Sequence, residues 1–266
     1  MPNNKIHPGS AAASARKALK NAGVSLSIAQ TTLPQRLEKR RAHQHLTQQS
    51  NIEAILAKAL KLCEQSTSDH ALDPDWLTAF IEFAEQTSNP EMQRLWALVF
   101  SKEAAMSGSF SIRSMRALKD LTRKDADIFQ LAVTLCSRTP GDRSLKIILG
   151  CYHPPTWRMF GRKGHQTISL NRFGMPYSNI LWMMEHGLVY NSELETSALS
   201  TENDYQLKIG QDTLCFRPNV QQLKLRYYRL TPVGDELAKL VLNEGHSGYT
   251  QQLIEMLESV MSPIEA

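Results

Sequence analysis

The sequence predicts a mainly α protein, with a helical bundle in its first half and an α+β module behind it. Three observations predict this. Apolar residues recur every three or four positions between 51 and 137, the period of amphipathic helices. Short turns that open on capping residues separate these runs. Beyond the turn cluster Thr139-Pro140-Gly141-Asp142, alternating apolar residues appear, which is the period of strands.

In chain order, residues 1–33 are rich in Ala, Ser, Asn and Gly and poor in large apolar side chains. They can bury too little surface to offset the entropy of ordering, so a disordered basic tail is expected, with a transient helix over 11–22. Pro34 suits the first turn of a long helix. That helix opens on Arg36, Lys39, Arg40 and Arg41 and continues with Ile52, Ile55, Leu56, Ala59 and Cys63 at helical spacing. Its second half should therefore pack while its first half projects. Asp73-Pro74 and Asn89-Pro90 each set a capping side chain before a helix-compatible proline. Trp76, Leu77, Phe80, Ile81 and Ala84 follow the first; Met92, Leu95, Trp96, Val99 and Phe100 follow the second. Ser111 caps a helix carrying Ile112, Met115 and Leu118, and Thr122 with Asp125 forms a variant capping box ahead of Ile128, Leu131, Ala132 and Leu135. These helices make up a bundle over 34–138.

Residues 139–266 make up the α+β module. A short buried strand is expected over 145–149, no clear period over 150–173, and a helix over 177–186 that Gly187 ends. Residues 191–204 are polar and read as a loop. Tyr205, Leu207 and Ile209 alternate, Gly210-Gln211-Asp212 turns the chain into a strand over 213–216, and Leu223, Leu225 and Tyr227 alternate again. Thr231-Pro232 opens a helix with Leu237, Leu240 and Val241, and a last helix carries Leu253, Ile254, Leu257, Val260 and Met261.

Two resemblances rest on particular residues. Ile180-Leu181-Trp182-Met183-Met184-Glu185-His186-Gly187-Leu188-Val189, the strands after it, and Leu230-Thr231-Pro232-Val233-Gly234-Asp235-Glu236-Leu237 resemble the C-terminal half of many winged-helix domains. There a helix ends in a Gly-Leu-Val-like step, a β-wing follows, and a Leu-Thr-Pro-x-Gly-x-x-Leu turn opens the next helix. The insertion between helix and final strand is longer here than a simple wing. Asp75-Trp76-Leu77, Glu91-Met92-Gln93-Arg94-Leu95-Trp96-Ala97 and Gly108-Ser109-Phe110-Ser111-Ile112-Arg113 are similar to a family of bacterial proteins known only as a domain of unknown function. With the terminal Thr-Pro-x-Gly, that similarity spans roughly 51–240. It implies a helical bundle followed by a winged-helix-like α+β end, and no particular reaction, cofactor or substrate.

Composition narrows the function classes. No apolar run approaches the roughly 20 residues that span a bilayer, and residues 1–30 lack the apolar core of a secretory signal. The four cysteines, Cys63, Cys136, Cys151 and Cys215, lie far apart without a CxxC pair, which fits reduced thiols in the cytosol. The net charge of +4 is uneven: residues 1–48 hold eight Lys/Arg against Glu38 alone, and the rest of the chain carries −3.

The basic helix opening, Arg36, Lys39, Arg40 and Arg41 with His43 and His45, has the cation density that neutralises phosphates and releases counterions. The plain reading of the same residues is a solvated helix face. Residues 143–184 hold Arg143, Lys146, Arg158, Arg162, Lys163 and Arg172 without an Asp or Glu, interleaved with Trp157, Phe160, Phe173 and Tyr177. Such mixing suits single-stranded nucleic acid, whose bases stack on rings while cations follow the backbone; a satellite core under exposed cations is the plain reading. The helix before Gly187 offers Ser178, Asn179, Glu185 and His186, a poor face for reading bases. Lys208, Lys224, Arg226 and Arg229 on the strands could position phosphates without specifying sequence. Cys151, His153 and His165 supply too few ligands for tetrahedral zinc, and Asp69-His70 is a pair by sequence adjacency alone. With no Gly-rich phosphate loop, G-x-S-x-G, H-E-x-x-H or kinase set, the sequence leans away from an enzyme, and neither cofactor nor metal is expected. A binding or regulatory module that contacts nucleic acid or an acidic partner is the favoured reading, and a protein-binding or self-associating scaffold is its rival.

Overall fold

The computed structural model describes residues 11–24, 31–64, 71–154 and 164–264, the side chain of Arg143 excepted. The chain divides into two compact units, Met1–Met106 and Ser107–Ala266.

The first unit is helical: α1 (Ala11–Asn21), α2 (Leu33–Cys63), α3 (Pro74–Ala84) and α4 (Pro90–Ala105). Side-chain caps set the starts, since Asp73 accepts from the Trp76 N–H at 2.8 Å and Asn89 from the Glu91 N–H at 2.9 Å. The buried residues of α2 are Asn51, Ile52, Ile55 and Ala59, so its second half joins the core and its first half does not. That core stacks Trp76 on Phe80, with ring centroids 5.3 Å apart, and sets Phe80 edge-on to Trp96. A polar network pins α2 to its neighbours: Lys58 Nζ donates to Gln93 Oε1 of α4 at 2.8 Å, and Asn51 Nδ2 donates to the carbonyl of Glu85, which caps the end of α3, at 2.9 Å.

The second unit corrects the expected fold class. The protein is α+β rather than mainly α, because this unit is built on one eight-stranded antiparallel sheet among its described residues. The strands are β1 (Ser137–Thr139), β2 (Asp142–Tyr152), β3 (His165–Thr167), β4 (Leu194–Glu195), β5 (Tyr205–Ile209), β6 (Asp212–Pro218), β7 (Lys224–Arg229) and β8 (Met261–Pro263). Their order is β4-β7-β2-β1-β5-β6-β8, with β3 also on β2. The stretch expected to be a wing belongs to this larger sheet, where β7 pairs with β2, whose residues 145–151 are all buried. The sequence hid this because β1, β3, β4 and β8 are two or three residues long, too short for a period to register. They form because β2, β6 and β7 offer unpaired backbone, and an orphaned buried N–H or C=O is costly.

Helices α5 (Ile112–Asp120), α6 (Arg123–Thr134), α7 (Tyr177–Glu185), α8 (Pro232–Ala238) and α9 (Ser247–Glu258) complete this unit. Tyr249 of α9 is buried, and its hydroxyl donates to the Ile148 carbonyl of β2 at 2.8 Å. Lys239, just past α8, reaches the Ser109 carbonyl ahead of α5 at 2.7 Å. Among the described residues no helix is long and apolar enough to cross a membrane.

Candidate functional site

The basic arm is built from α1 and the first half of α2. The last turn of α1 meets α2 where the Asn21 carbonyl lies 2.8 Å from His43 Nε2. Arg40 and His43 line an open groove with Ala18, Asn21 and Ala22. Arg36 is held by the Thr31 carbonyl. Arg16, Lys17, Lys20, Lys39, Arg40, Arg41 and His45 are exposed, and among the described residues no ion pair engages them. Glu38 is the sole carboxylate between residues 11 and 48. The arm is thus an uncompensated cationic surface.

The cations of β2 and β7 are different: carboxylates take up Lys146, Lys224, Arg226 and Arg229. Lys146 and Arg229 are direct cross-strand partners, an arrangement of like charges that would destabilise the pair. Asp142 resolves it, with Oδ2 2.9 Å from Lys146 Nζ and Oδ1 3.2 Å from Arg229. Burial raises the Asp142 carboxyl, but hydrogen bonds from Lys146 and the Ser144 N–H, with the charges of Lys146 and Arg229, hold it below its ordinary value overall. Lys224 faces Tyr152 across β2–β7 and lies 3.5 Å from Glu195, to which Tyr152 also donates. Arg172 and Lys208 are exposed. Arg158, Arg162 and Lys163, with Trp157 and Phe160, lie outside the described residues, as do Asp69 and His70. Phe173 packs edge-on to His246 and Tyr249, whereas Tyr177 is 62% exposed.

Cys151 is buried and its thiol is pushed up to about 11 by that burial. His153 is buried too, its Nδ1 3.0 Å from the Pro154 carbonyl, while His165 is exposed. Among the described residues no three His, Cys, Asp or Glu side chains gather as metal ligands.

A cleft of about 290 Å³ opens where β2, β3 and β7 meet the start of α7. Leu149, Ile168, Leu170, Met175 and Ile180 give it an apolar floor, all of them buried. Arg226, Glu193, Tyr228 and Thr167 form one polar wall, and Ser169 and Asn171 also line the cleft. Arg226 donates to Glu193 Oε2 at 3.4 Å and to Thr167 Oγ1 at 3.0 Å. The Tyr228 hydroxyl donates to Glu193 Oε1 at 3.2 Å. Burial, then the charge of Glu193, pushes that phenol up to about 12, so it remains a donor. From sequence, Arg226 reads as a phosphate contact and Glu193 as one residue of a polar loop. No local signal marks Glu193; only the pairing of β4 with β7 carries it to the guanidinium.

The model of a family described as protein of unknown function (DUF2806) matches residues 35–254. No curated protein and no solved structure matches the chain.

Proposed function

The chain belongs to the DUF2806 family, proteins of unknown function, and from its own surface we propose that it is a binding module that holds nucleic acid by the phosphate backbone through the basic arm. One observation carries this reading: the cations of α1 and, apart from the half-buried Arg36, of the first half of α2 are exposed with a single carboxylate among them. Uncompensated Lys and Arg at that density gain affinity by releasing counterions from phosphates. The strand cations Lys224, Arg226 and Arg229 already have carboxylate partners and add less to such a field. The residues supporting this contact are Arg36, Lys39, Arg40 and Arg41, and Arg158, Arg162, Lys163 and Arg172 of the second unit are a separate candidate contact. A cytosolic setting accords with four free cysteines.

The test is anisotropy of a labelled oligonucleotide titrated with the full chain across a range of salt. Wild type should bind with a steep salt dependence. Changing Lys39, Arg40 and Arg41 to Glu together should flatten the slope of log K against log salt by about 2–3. Equal affinity and equal slope in both proteins would refute the arm. A second reading, docking of a protein partner, is favoured by Leu33 and Leu46, each 71% exposed on the same arm. It expects Leu33→Ser with Leu46→Ser to abolish a complex or self-association that salt leaves intact.

A further inference from the structure

We propose that the cleft beside β7 takes a single nucleobase with an amide edge, of the guanine or uracil type. This goes beyond the arm and does not depend on it. The volume, about 290 Å³, lies at the lower end for small-molecule sites and suits one small ring system. The apolar floor, from Leu149 to Ile180, suits a flat ring, and Tyr177 at the mouth offers an exposed aromatic face for stacking.

The wall selects the edge. Arg226 and Glu193 stand side by side, 3.4 Å apart, and share one wall of the cleft. Phosphate entering there would meet the Glu193 carboxylate, and an ammonium group would meet the Arg226 guanidinium. A neutral edge with an acceptor beside a donor satisfies both. Arg226 spends one terminal N–H on Glu193 and one on Thr167, which leaves terminal N–H groups for a ligand carbonyl. Glu193 is 44% exposed and its two bonds are long, 3.2 and 3.4 Å, so its lone pairs can accept a ring N–H. Guanine and uracil present C=O next to ring N–H. Adenine and cytosine offer a ring nitrogen beside an amino group instead, a weaker acceptor for the guanidinium and a less acidic donor for the carboxylate than C=O beside ring N–H.

The experiment is calorimetric titration of the full chain with guanosine, uridine, adenosine and cytidine. None of these nucleosides carries a phosphate, so failure of the arm would leave the outcome unchanged. Guanosine and uridine should bind saturably, with adenosine and cytidine at least about tenfold weaker, the scale on which a site built around hydrogen bonds rejects a mismatched edge. Glu193→Gln keeps an acceptor for Tyr228 but loses the charge, and it should erase the preference while the protein still melts in one cooperative transition. Tyr177→Ala, at an exposed position, should weaken guanosine and uridine alike while preserving their rank. Absence of saturable binding by any nucleoside, equal affinity for all four, or an unchanged preference in Glu193→Gln would each overturn the assignment.

Discussion

Thr231 shows how much one side chain can tie together. Its hydroxyl donates to the Gly187 carbonyl at 2.5 Å and accepts from the Gly234 N–H at 3.1 Å, while its own N–H donates to the Leu188 carbonyl at 3.0 Å. The end of α7 and the start of α8 are therefore one joint. Gly187 takes φ +66° to end α7, the left-handed conformation that costs glycine least. Gly234 is needed for a different reason, because a Cβ there would fall 2.2 Å from the Leu188 carbonyl oxygen, and backbone cannot yield as a side-chain tip can. Gly234→Ala should destabilise the second unit by about 1–3 kcal/mol, the range for overpacking a tight site, and a lowered urea midpoint would register it. An unchanged midpoint would mean that α8 slides away freely. Both glycines and the Thr-Pro step are legible in the sequence as a turn. That they serve each other is not, because the pieces are joined only after four strands have been laid between them.

Among the elements, helices and strands drew on different information. The starts of α3, α4, α5 and α6 rest on Asp73, Asn89, Ser111 and Thr122, each bonded within three residues of itself, so local sequence was enough. β2 and β7 depend on a carboxylate that faces both: Asp142 neutralises Lys146 and Arg229 across the register. With its value held below the ordinary one, the stabilisation from Asp142 is complete above the usual carboxylate pKa and disappears as pH falls through the lowered folded value. Asp142→Asn should cost about 1–2 kcal/mol near neutral pH. The curves of melting temperature against pH should then converge for the two proteins in acid. Parallel curves over the whole range would count against this role.

Across the whole molecule the charge is divided rather than balanced. Residues 1–48 carry +7 and the remainder −3, while burial on α2 begins only at Asn51. A chain of residues 49–266 should therefore lose salt-sensitive affinity for an oligonucleotide, turn from basic to acidic on ion exchange, and melt within about 5 °C of the parent, since little core is removed. Retained affinity would move the contact off the arm. By itself the sequence determined the helices, their caps, the alternating strands β5, β6 and β7, and the uneven charge, because each is written in residues near one another. Only the tertiary structure decided that the strands merge into one sheet, that strands of two or three residues join it, and that Glu193, Glu195 and Asp142 claim the cations of β7. The physical reason is that sheet pairing and ion pairing are settled between residues far apart in the chain, where neither period nor propensity leaves a mark.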